Sequence, residues 1–290
     1  MKLTNNYSIP PAIYQAVSAM TRRPEPYIYH PTELINNPLV RQLKMRHWDE
    51  LEEDAADRLW ALLGSAVHAV LQKAGDVLNA LVEEQLRYDI DGCSLVMTGT
   101  PDIYMNRIID DYKVTSVYAF LLGEKVEWVK QLNIYSFMFE HIGFPVDGLR
   151  INAILRDWIR SKAKIDRKYP QIPFLSLPVR KWDSKEQEAY VLGRISLFKS
   201  VDDGTVVPNA CTDEERWARP TTWAVMKKGG KRALRVFDDE ETARKYVGAK
   251  KKDQDGYERE ERPGMNTRCE GYCPVRNFCP YNPYQEVNHD

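Results

Sequence analysis

The order of hydrophobic periodicities between residues 59 and 155 most constrains the fold of this 290-residue chain. Apolar residues recur at helical spacing from Leu59 to Leu81, which predicts one long helix with a single buried stripe. The predicted strands that follow cover 85–91, 94–104, 107–115 and 148–155, and a second helix covers 125–141. Helix, three strands, helix and strand in this order indicate an α/β or α+β core.

The residues on either side of this core differ from it in composition. Several prolines and aromatic residues in 1–58 predict an irregular N-terminal lead-in packed on the core. The core is expected to cover 59–200 and to include a further helix beyond about residue 183. The remaining segment, 201–290, is expected to form an extension with a hairpin that turns at Lys228-Gly229-Gly230 and a tail that carries clustered cysteines.

Composition excludes several classes of protein. Hydrophobic residues make up 43% and charged residues 29%, which fits neither a disordered nor a fibrous chain. Without a long apolar run or a secretory leader, the sequence predicts a cytoplasmic protein. The net charge of -1 excludes a highly basic nucleic-acid coat. One segment is locally basic and is a candidate DNA-binding surface, although a solvated face is as good an interpretation; its residues are Arg156, Arg160, Lys162, Lys164, Arg167 and Lys168.

Two aspartates and a lysine form the main candidate site. Alternation along a strand places Asp111 and Lys113 on one face and Asp110 on the other. A hairpin turn at Met105-Asn106 would pair Tyr104 with Arg107 and Asp102 with Ile109, so that Asp102 shares the face of Asp111 and Lys113. Two adjacent carboxylates repel unless a cation lies between them, and Mg2+ suits oxygen ligands and phosphate substrates. The alternative is an ordinary exposed ion pair.

Two helices carry polar pairs at a spacing of four residues. Gly64 and His68 share one face of the first helix, where Gly64 would allow another backbone to approach closely and His68 could supply an imidazole ligand. Gln131 and Tyr135 share a face of the second helix and could project together towards the site. Taken alone, each pair is more typical of packing than of chemistry.

Together these motifs resemble the RecB-type branch of the PD-(D/E)xK nuclease superfamily, over about residues 59 to 155. The resemblance rests on Gly64-Ser-Ala-Val-His68, Gly99-Thr-Pro-Asp102, Asp111-Tyr112-Lys113 and Gln131-Leu-Asn-Ile-Tyr135. It implies an α/β, restriction-endonuclease-like core, with a central mixed sheet flanked by helices, and a site that holds one or two Mg2+ or Mn2+ ions. The implied metal ligands are His68, Asp102, Asp111 and the Tyr112 backbone carbonyl. Lys113 would be the catalytic lysine, with Gln131 and Tyr135 supporting the site or contacting DNA.

The C-terminal cysteines suggest a second metal site. Cys269, Cys273 and Cys279 are clustered, and Cys211 is the natural fourth ligand because Cys93 lies in a predicted turn of the core. The resemblance to AddB-type and CRISPR-associated nucleases favours a 4Fe-4S cluster over zinc. The sequence departs from that pattern, since Cys211 follows the core and three residues separate the first close pair.

The sequence therefore predicts a metal-dependent DNA nuclease. An exonuclease acting on linear ends or single strands in recombination, repair or phage replication fits best, with recombination or replication proteins as partners. The alternative is a non-catalytic DNA-binding or assembly subunit that retains the nuclease fold. A small-molecule metallohydrolase is weaker, because such sites usually contain more histidines.

Overall fold

The chain divides into two compact units, Met1–Pro208 and Asn209–Asp290. A computed structural model describes residues 1–78, 80–90, 95–121, 123–249 and 256–284. The predicted turn at Asp91-Gly92 and the core cysteine Cys93 lie outside the described residues.

The elements of the first unit alternate between helices and short strands. The helices are α1 (Pro11–Ser18), α2 (Pro31–Leu34), α3 (Pro38–Arg46), α4 (Leu59–Gln72), α5 (Gly75–Leu78), α6 (Val117–Leu121), α7 (Val126–His141), α8 (Arg160–Ile165) and α9 (Ser184–Asp202). The strands are β1 (Lys2–Thr4), β2 (Ile28–Tyr29), β3 (Glu52–Asp54), β4 (Leu81–Val82), β5 (Leu86–Ile90), β6 (Leu95–Gly99), β7 (Ile103–Met105), β8 (Ile108–Thr115), β9 (Gly148–Leu155) and β10 (Phe174–Val179). A 3-10 turn at Ala55–Arg58 leads into α4.

A five-stranded mixed sheet forms the centre of this unit. Its strand order is β10-β9-β8-β7-β4, with β8 and β9 parallel and every other pair antiparallel. Helix α4 contacts β8, and α7 packs on β8, β9 and β10. A smaller sheet has the order β2-β6-β5, and β1 pairs with β3. The predicted α/β core, with a mixed sheet flanked by helices and a cysteine-bearing extension, is confirmed.

Helix α7 lies at the centre of the hydrophobic core. Every residue from 132 to 139 is buried, so this helix is covered all round rather than along one stripe. Its apolar side chains pack with Ile109 of β8 and Ile151 of β9, both fully buried. The central strands and α7 therefore form a rigid base for side chains that project from the edge of the sheet.

The N-terminal lead-in is helical, which corrects the prediction of an irregular segment. Helices α1, α2 and α3 each begin with a proline in the first turn. Proline fits there because its fixed φ is helical and its missing N–H would have no partner in any case. The prolines that suggested irregular structure therefore mark helix starts.

The first long helix is shorter than the sequence predicts. It ends at Gln72 and the short α5 follows, where Gly75 lies so close to Val82 that an added Cβ would be 2.6 Å from a Val82 methyl carbon. All of α4 is described and none of its residues is buried. The predicted apolar stripe is only partly covered, by β8, α1 and the 55–58 turn, and Leu63 and Val70 are exposed.

Two details of the predicted strands change as well. Residues predicted as one strand, 94–104, form β6 and β7 in different sheets, since the chain leaves the ladder at Pro101, which has no N–H to donate. The β7–β8 hairpin turns at Asn106-Arg107 rather than Met105-Asn106, because Met105 pairs with Ile108. Both turn residues have positive φ, 51° and 64°, as the tight turns of twisted hairpins require.

The second unit contains a small sheet and the cysteine segment. Its elements are β11 (Ala218–Arg219), β12 (Thr222–Lys227), β13 (Ala233–Phe237), α10 (Glu240–Gly248), β14 (Tyr257–Arg262) and β15 (Met265–Asn266), followed by short turns at Arg268–Tyr272 and Arg276–Phe278. The sheet has the order β13-β12-β14 and packs under α10 around Val225, Phe237 and Ala243. The hairpin predicted at Lys228-Gly229-Gly230 is confirmed by the pairing of β12 with β13.

Within the described ranges, no helix combines the length and the apolar character that crossing a membrane would require.

Candidate active site

The candidate site lies where β7 and β8 separate. Ile103 pairs with Asp110, and continuing that register by one residue places Asp102 opposite Asp111. Because the chain has left the ladder there, the Asp102 carboxylate replaces a strand backbone and accepts a hydrogen bond from the Tyr112 N–H at 2.6 Å. The N–H and C=O of one strand residue point to the same side, so the Tyr112 carbonyl also faces Asp102.

The predicted partner of Asp102 was wrong, but its predicted face was right. The hairpin turns one residue later than expected, which moves the register by two residues and leaves the alternation of faces unchanged. Asp102 therefore faces Asp111 rather than Ile109. Asp110 points to the other face as predicted, where it accepts hydrogen bonds from Arg150 and Asn152.

Three side chains form a compact group of metal-ligand type. Ligand atoms of His68, Glu83 and Asp102 all lie within 4.8 Å of one another. His68 Nδ1 is 2.9 Å from Glu83 Oε1 and 3.3 Å from Asp102 Oδ1. Imidazole and carboxylate donors at this spacing fit a divalent cation.

Glu83 belongs to this group but is not among the residues predicted from the sequence. It directly follows β4 and has a left-handed backbone, φ 53°. Its N–H donates to the Asp102 carbonyl at 2.9 Å, so the two acidic residues are fixed side by side. No motif marks Glu83, and only the pairing of β4 beside β7 brings it to the site.

The carboxylates hold a positive charge on His68 when no metal is bound. A hydrogen bond to Asp102 is the largest cause that raises the pKa of His68 to about 9, and Glu83 acts in the same direction against the effect of burial. An imidazolium is favoured because it neutralises part of the negative charge of the two acids. The group therefore attracts a cation, and a bound metal would replace the imidazole proton.

Asp111 and Lys113 form an ion pair beside this group. Lys113 Nζ donates to Asp111 Oδ1 at 2.9 Å and lies 2.7 Å from Oδ2, which accepts no hydrogen bond from any described residue. Asp111 is 2% exposed, and burial raises its pKa to about 6 although Lys113 opposes the shift. The structure thus brings Asp111 opposite Asp102, but the group of ligand atoms within 4.8 Å of one another contains His68, Glu83 and Asp102 and not Asp111.

The predicted pair on α7 supports the loop that carries Asp102. The Tyr135 hydroxyl donates to the Thr100 carbonyl at 3.1 Å and is hydrogen-bonded to the Gln131 side chain. Burial raises the pKa of Tyr135, so the phenol stays protonated and remains a donor. Gly99 allows this contact, because a Cβ there would lie 2.8 Å from the Tyr135 ring.

Gly64 does not have the role predicted for it. An added Cβ at this position would have no neighbouring atom within 4 Å, so no backbone of the described residues approaches closely. Within the described residues, the backbone that was expected to approach Gly64 is therefore not a segment of this chain. The space over Gly64, one turn before His68, is open.

The basic segment begins next to the site. All six predicted DNA-binding residues are exposed, and α8 carries three of them, Arg160, Lys162 and Lys164. The Arg156 N–H donates to the Thr115 carbonyl at 3.0 Å, which fixes the start of the segment to the end of β8, two residues after Lys113. The Arg156 guanidinium lies 4.2 Å from the centre of the Trp60 ring.

The predicted cysteine ligands lie close enough within the second unit for the charge on one to affect the pKa of another. The Arg268 N–H donates to the Arg216 carbonyl at 3.0 Å, which brings the segment that follows Cys211 beside Cys269. Burial raises the pKa of Cys211 to about 12 and also raises that of Cys269, and charge on Cys273 and Cys279 adds to both shifts. Thiols are the donors that zinc and iron-sulfur clusters take. Among the described residues, however, the ligand atoms that gather within 4.8 Å of one another are those of His68, Glu83 and Asp102 and not those of the cysteines.

Comparison with known proteins gives distant structural likenesses. No family model matches the sequence, and no curated protein matches it. The structure of SSO0001 is 16% identical, with a TM-score of 0.44, over 64% of this chain and 83% of that one. The alkaline exonuclease LHK-Exo from Laribacter hongkongensis is 10% identical, with a TM-score of 0.41, over 66% and 95%. A phage related exonuclease from Haemophilus somnus 129PT is 16% identical, with a TM-score of 0.34, over 50% and 71%.

Proposed function

We propose that this protein is a metal-dependent deoxyribonuclease, with exonuclease action on linear DNA ends as its mode. The observation that carries the proposal is the group of His68, Glu83 and Asp102 donor atoms within 4.8 Å, beside the buried ion pair of Asp111 and Lys113. Carboxylates, an imidazole and a lysine at one sheet edge are the set of groups that phosphodiester hydrolysis uses.

One divalent cation, Mg2+ or Mn2+, would be held by His68, Asp102, Asp111 and the Tyr112 carbonyl, with Glu83 as a further ligand. It would supply positive charge to the scissile phosphate and lower the pKa of a water molecule. A second ion is part of the proposal on the basis of the sequence resemblance. His68 Nδ1 lies 2.9 Å from Glu83 Oε1, and the buried Asp111 Oδ2 lies 2.7 Å from Lys113 Nζ, so a bound cation would take over the neutralisation of these carboxylates.

Lys113 orients the attacking water and stabilises the charge that develops on the phosphate oxygens. Its ammonium is held by Asp111, so its position is fixed before substrate binds. Tyr135 and Gln131 act as positioning residues, because their hydrogen bonds fix the loop of Asp102.

The basic segment holds the DNA backbone in this proposal. Exposed lysines and arginines bind phosphates by releasing counterions, so binding should weaken steeply as salt concentration rises. DNA recombination, repair or phage replication in the cytoplasm, together with partner proteins of those processes, remain the proposed setting on the basis of the sequence resemblance.

For the cysteine segment we propose a structural 4Fe-4S cluster held by Cys211, Cys269, Cys273 and Cys279, with zinc as the alternative. Protein purified without oxygen should be brown and contain iron and acid-labile sulfide. Zinc without iron would favour the alternative, and the absence of both metals would contradict a metal site.

The nuclease proposal is tested by incubating the protein with Mg2+ or Mn2+ and end-labelled linear or closed-circular DNA. Lys113→Ala and Asp111→Asn should abolish cleavage. Lys181→Ala is the matched control, because Lys181 pairs with Glu140 at 2.7 Å and its side chain is 27% exposed, against 28% for Lys113, but lies outside the site.

The possible outcomes separate the two functions. An exonuclease is supported if the wild type and Lys181→Ala cleave linear DNA and the two site variants do not. Cleavage of closed circles would replace that mode with endonuclease action. Salt-sensitive DNA binding without cleavage by any form would favour the non-catalytic DNA-binding subunit.

A further inference from the structure

The exposed side of α4 carries a row of three residues that ends at the candidate metal group. Trp60, Gly64 and His68 follow at intervals of four residues, which places them along one side of the helix. Trp60 is about 12 Å from His68 along the helix axis at 1.5 Å per residue. Trp60 is 62% exposed, and the space over Gly64 is open. The row therefore leads from an exposed tryptophan, past a glycine with no described atom within 4 Å of an added Cβ, to the metal group.

An arginine restricts the Trp60 ring and places a positive charge beside it. The Arg156 guanidinium lies 4.2 Å from the ring centre, a cation–π contact that restricts the indole while leaving much of it exposed. The Arg156 backbone is fixed to Thr115 at the end of β8. The pair of Trp60 and Arg156, called here the stacking pair, is therefore positioned relative to Lys113 by the same strand.

We propose that the stacking pair binds an unpaired base of single-stranded DNA, whose backbone passes over Gly64 towards His68 and Asp102. The proposal rests on the proposed nuclease function and names its substrate. An exposed aromatic ring next to a basic surface is the combination that proteins use for single strands, where bases stack on the ring and phosphates meet the cations.

Charge favours nucleic acid over a protein as the occupant of this surface. The basic segment that begins at Arg156 carries six exposed cations, which complement a polyanion. A second copy of this chain docked symmetrically on α4 would bring two such segments together, and their like charges would repel.

Single strands are favoured over duplex for a steric reason. Bases in a duplex are stacked on one another, so their faces cannot reach an indole without the duplex opening. Duplex DNA would therefore contact only the cations of the basic segment and gain nothing from Trp60.

The test measures binding by fluorescence anisotropy in EDTA, where no metal-dependent step takes part. The ligands are a thymidine oligonucleotide, an abasic oligonucleotide of equal length and charge, and a duplex. Trp60→Ala should weaken binding to the thymidine strand by about 5- to 100-fold and leave binding to the abasic strand and the duplex unchanged. Trp60→Phe should retain most of the affinity because its ring also stacks.

Val70→Ala is the matched control, because Val70 is also an apolar residue of α4 and is 66% exposed. It should leave all three affinities unchanged. An unchanged affinity of Trp60→Ala for the thymidine strand, or an equal loss for all three ligands, would overturn the proposal. Dimers that dissociate in both Trp60→Ala and Val70→Ala would instead assign α4 to a contact between copies. Because no cleavage is measured, a failed nuclease assay would leave this result standing.

Discussion

Replacing Gly99 by alanine tests the packing that holds the candidate site together. A Cβ at this position would lie 2.8 Å from two ring carbons of Pro31 and 2.8 Å from Tyr135 Cε1. None of these atoms belongs to a flexible chain end, since one neighbour is a proline ring and the other a buried phenol. The added methyl group must therefore displace α2, Tyr135 or the strand β6.

The expected cost follows from the overpacking of a filled core, which is about 1–3 kcal/mol. For a unit of this size, each kcal/mol lowers the melting temperature by about 2–4 °C. A displaced Tyr135 would also lose its hydrogen bond to Thr100 and release the loop of Asp102. Gly99→Ala should therefore reduce both stability and cleavage of end-labelled DNA.

Gly193→Ala is the control for this experiment. Gly193 lies inside α9, is exposed, and an added Cβ there would meet no atom within 4 Å. Alanine should raise the free energy of unfolding by about 1 kcal/mol through helix propensity without changing activity. Urea unfolding and cleavage rates are measured for both variants. A fully stable and active Gly99→Ala protein would refute the packing described for Tyr135.

Four further predictions concern metal affinity, the pH dependence of stability, the buried ion pair of Arg41 and Asp202, and the cysteines. Mn2+ affinity, measured by calorimetry, should rise as pH increases through about 6, where Asp111 ionises. It should rise further towards pH 9, where His68 loses its proton. An affinity that does not depend on pH would contradict this prediction. In the metal-free protein the stabilisation from His68 should be complete below its ordinary pKa of about 6.5 and lost as pH rises through about 9, so thermal melting should occur at lower temperature at pH 9.5 than at pH 6. Asp202→Ala removes the nearer carboxylate partner of Arg41, which is 4% exposed, and leaves it Glu33 at 3.9 Å. The change should cost about 3–5 kcal/mol in urea unfolding, whereas a loss below about 1 kcal/mol would show that the buried pair contributes little. Cys273→Ser should lower the bound iron or zinc found by elemental analysis, and an unchanged metal content would exclude Cys273 as a ligand.

The faces of the site residues could be predicted because alternation along a strand depends only on parity. The predicted turn was one residue early, yet Asp102 and Asp111 still faced each other because the register moved by two. The helix α7 was also predictable, since its pattern extends over sixteen residues. In both cases the signal is local in sequence.

Glu83 as a site residue and the exposure of α4 could not be predicted, because both depend on contacts between segments that are distant in sequence. Glu83 reaches the site through the pairing of β4 with β7, a contact between segments about twenty residues apart that no local pattern encodes. The apolar residues of α4 specify a helix, but periodicity does not say whether another element covers them. The prolines of the lead-in were misread because proline is compatible both with loops and with the first turn of a helix.

The anomalous scattering of Mn2+ in crystals of the metal-loaded protein would show whether the candidate site binds a metal. We expect a peak within coordination distance of His68, Asp102 and Asp111, at the edge where β7 leaves β8, with Glu83 adjacent. A well-occupied Mn2+ bound elsewhere, with His68 still hydrogen-bonded to Glu83 and Asp102, would contradict a metal-dependent site at this position.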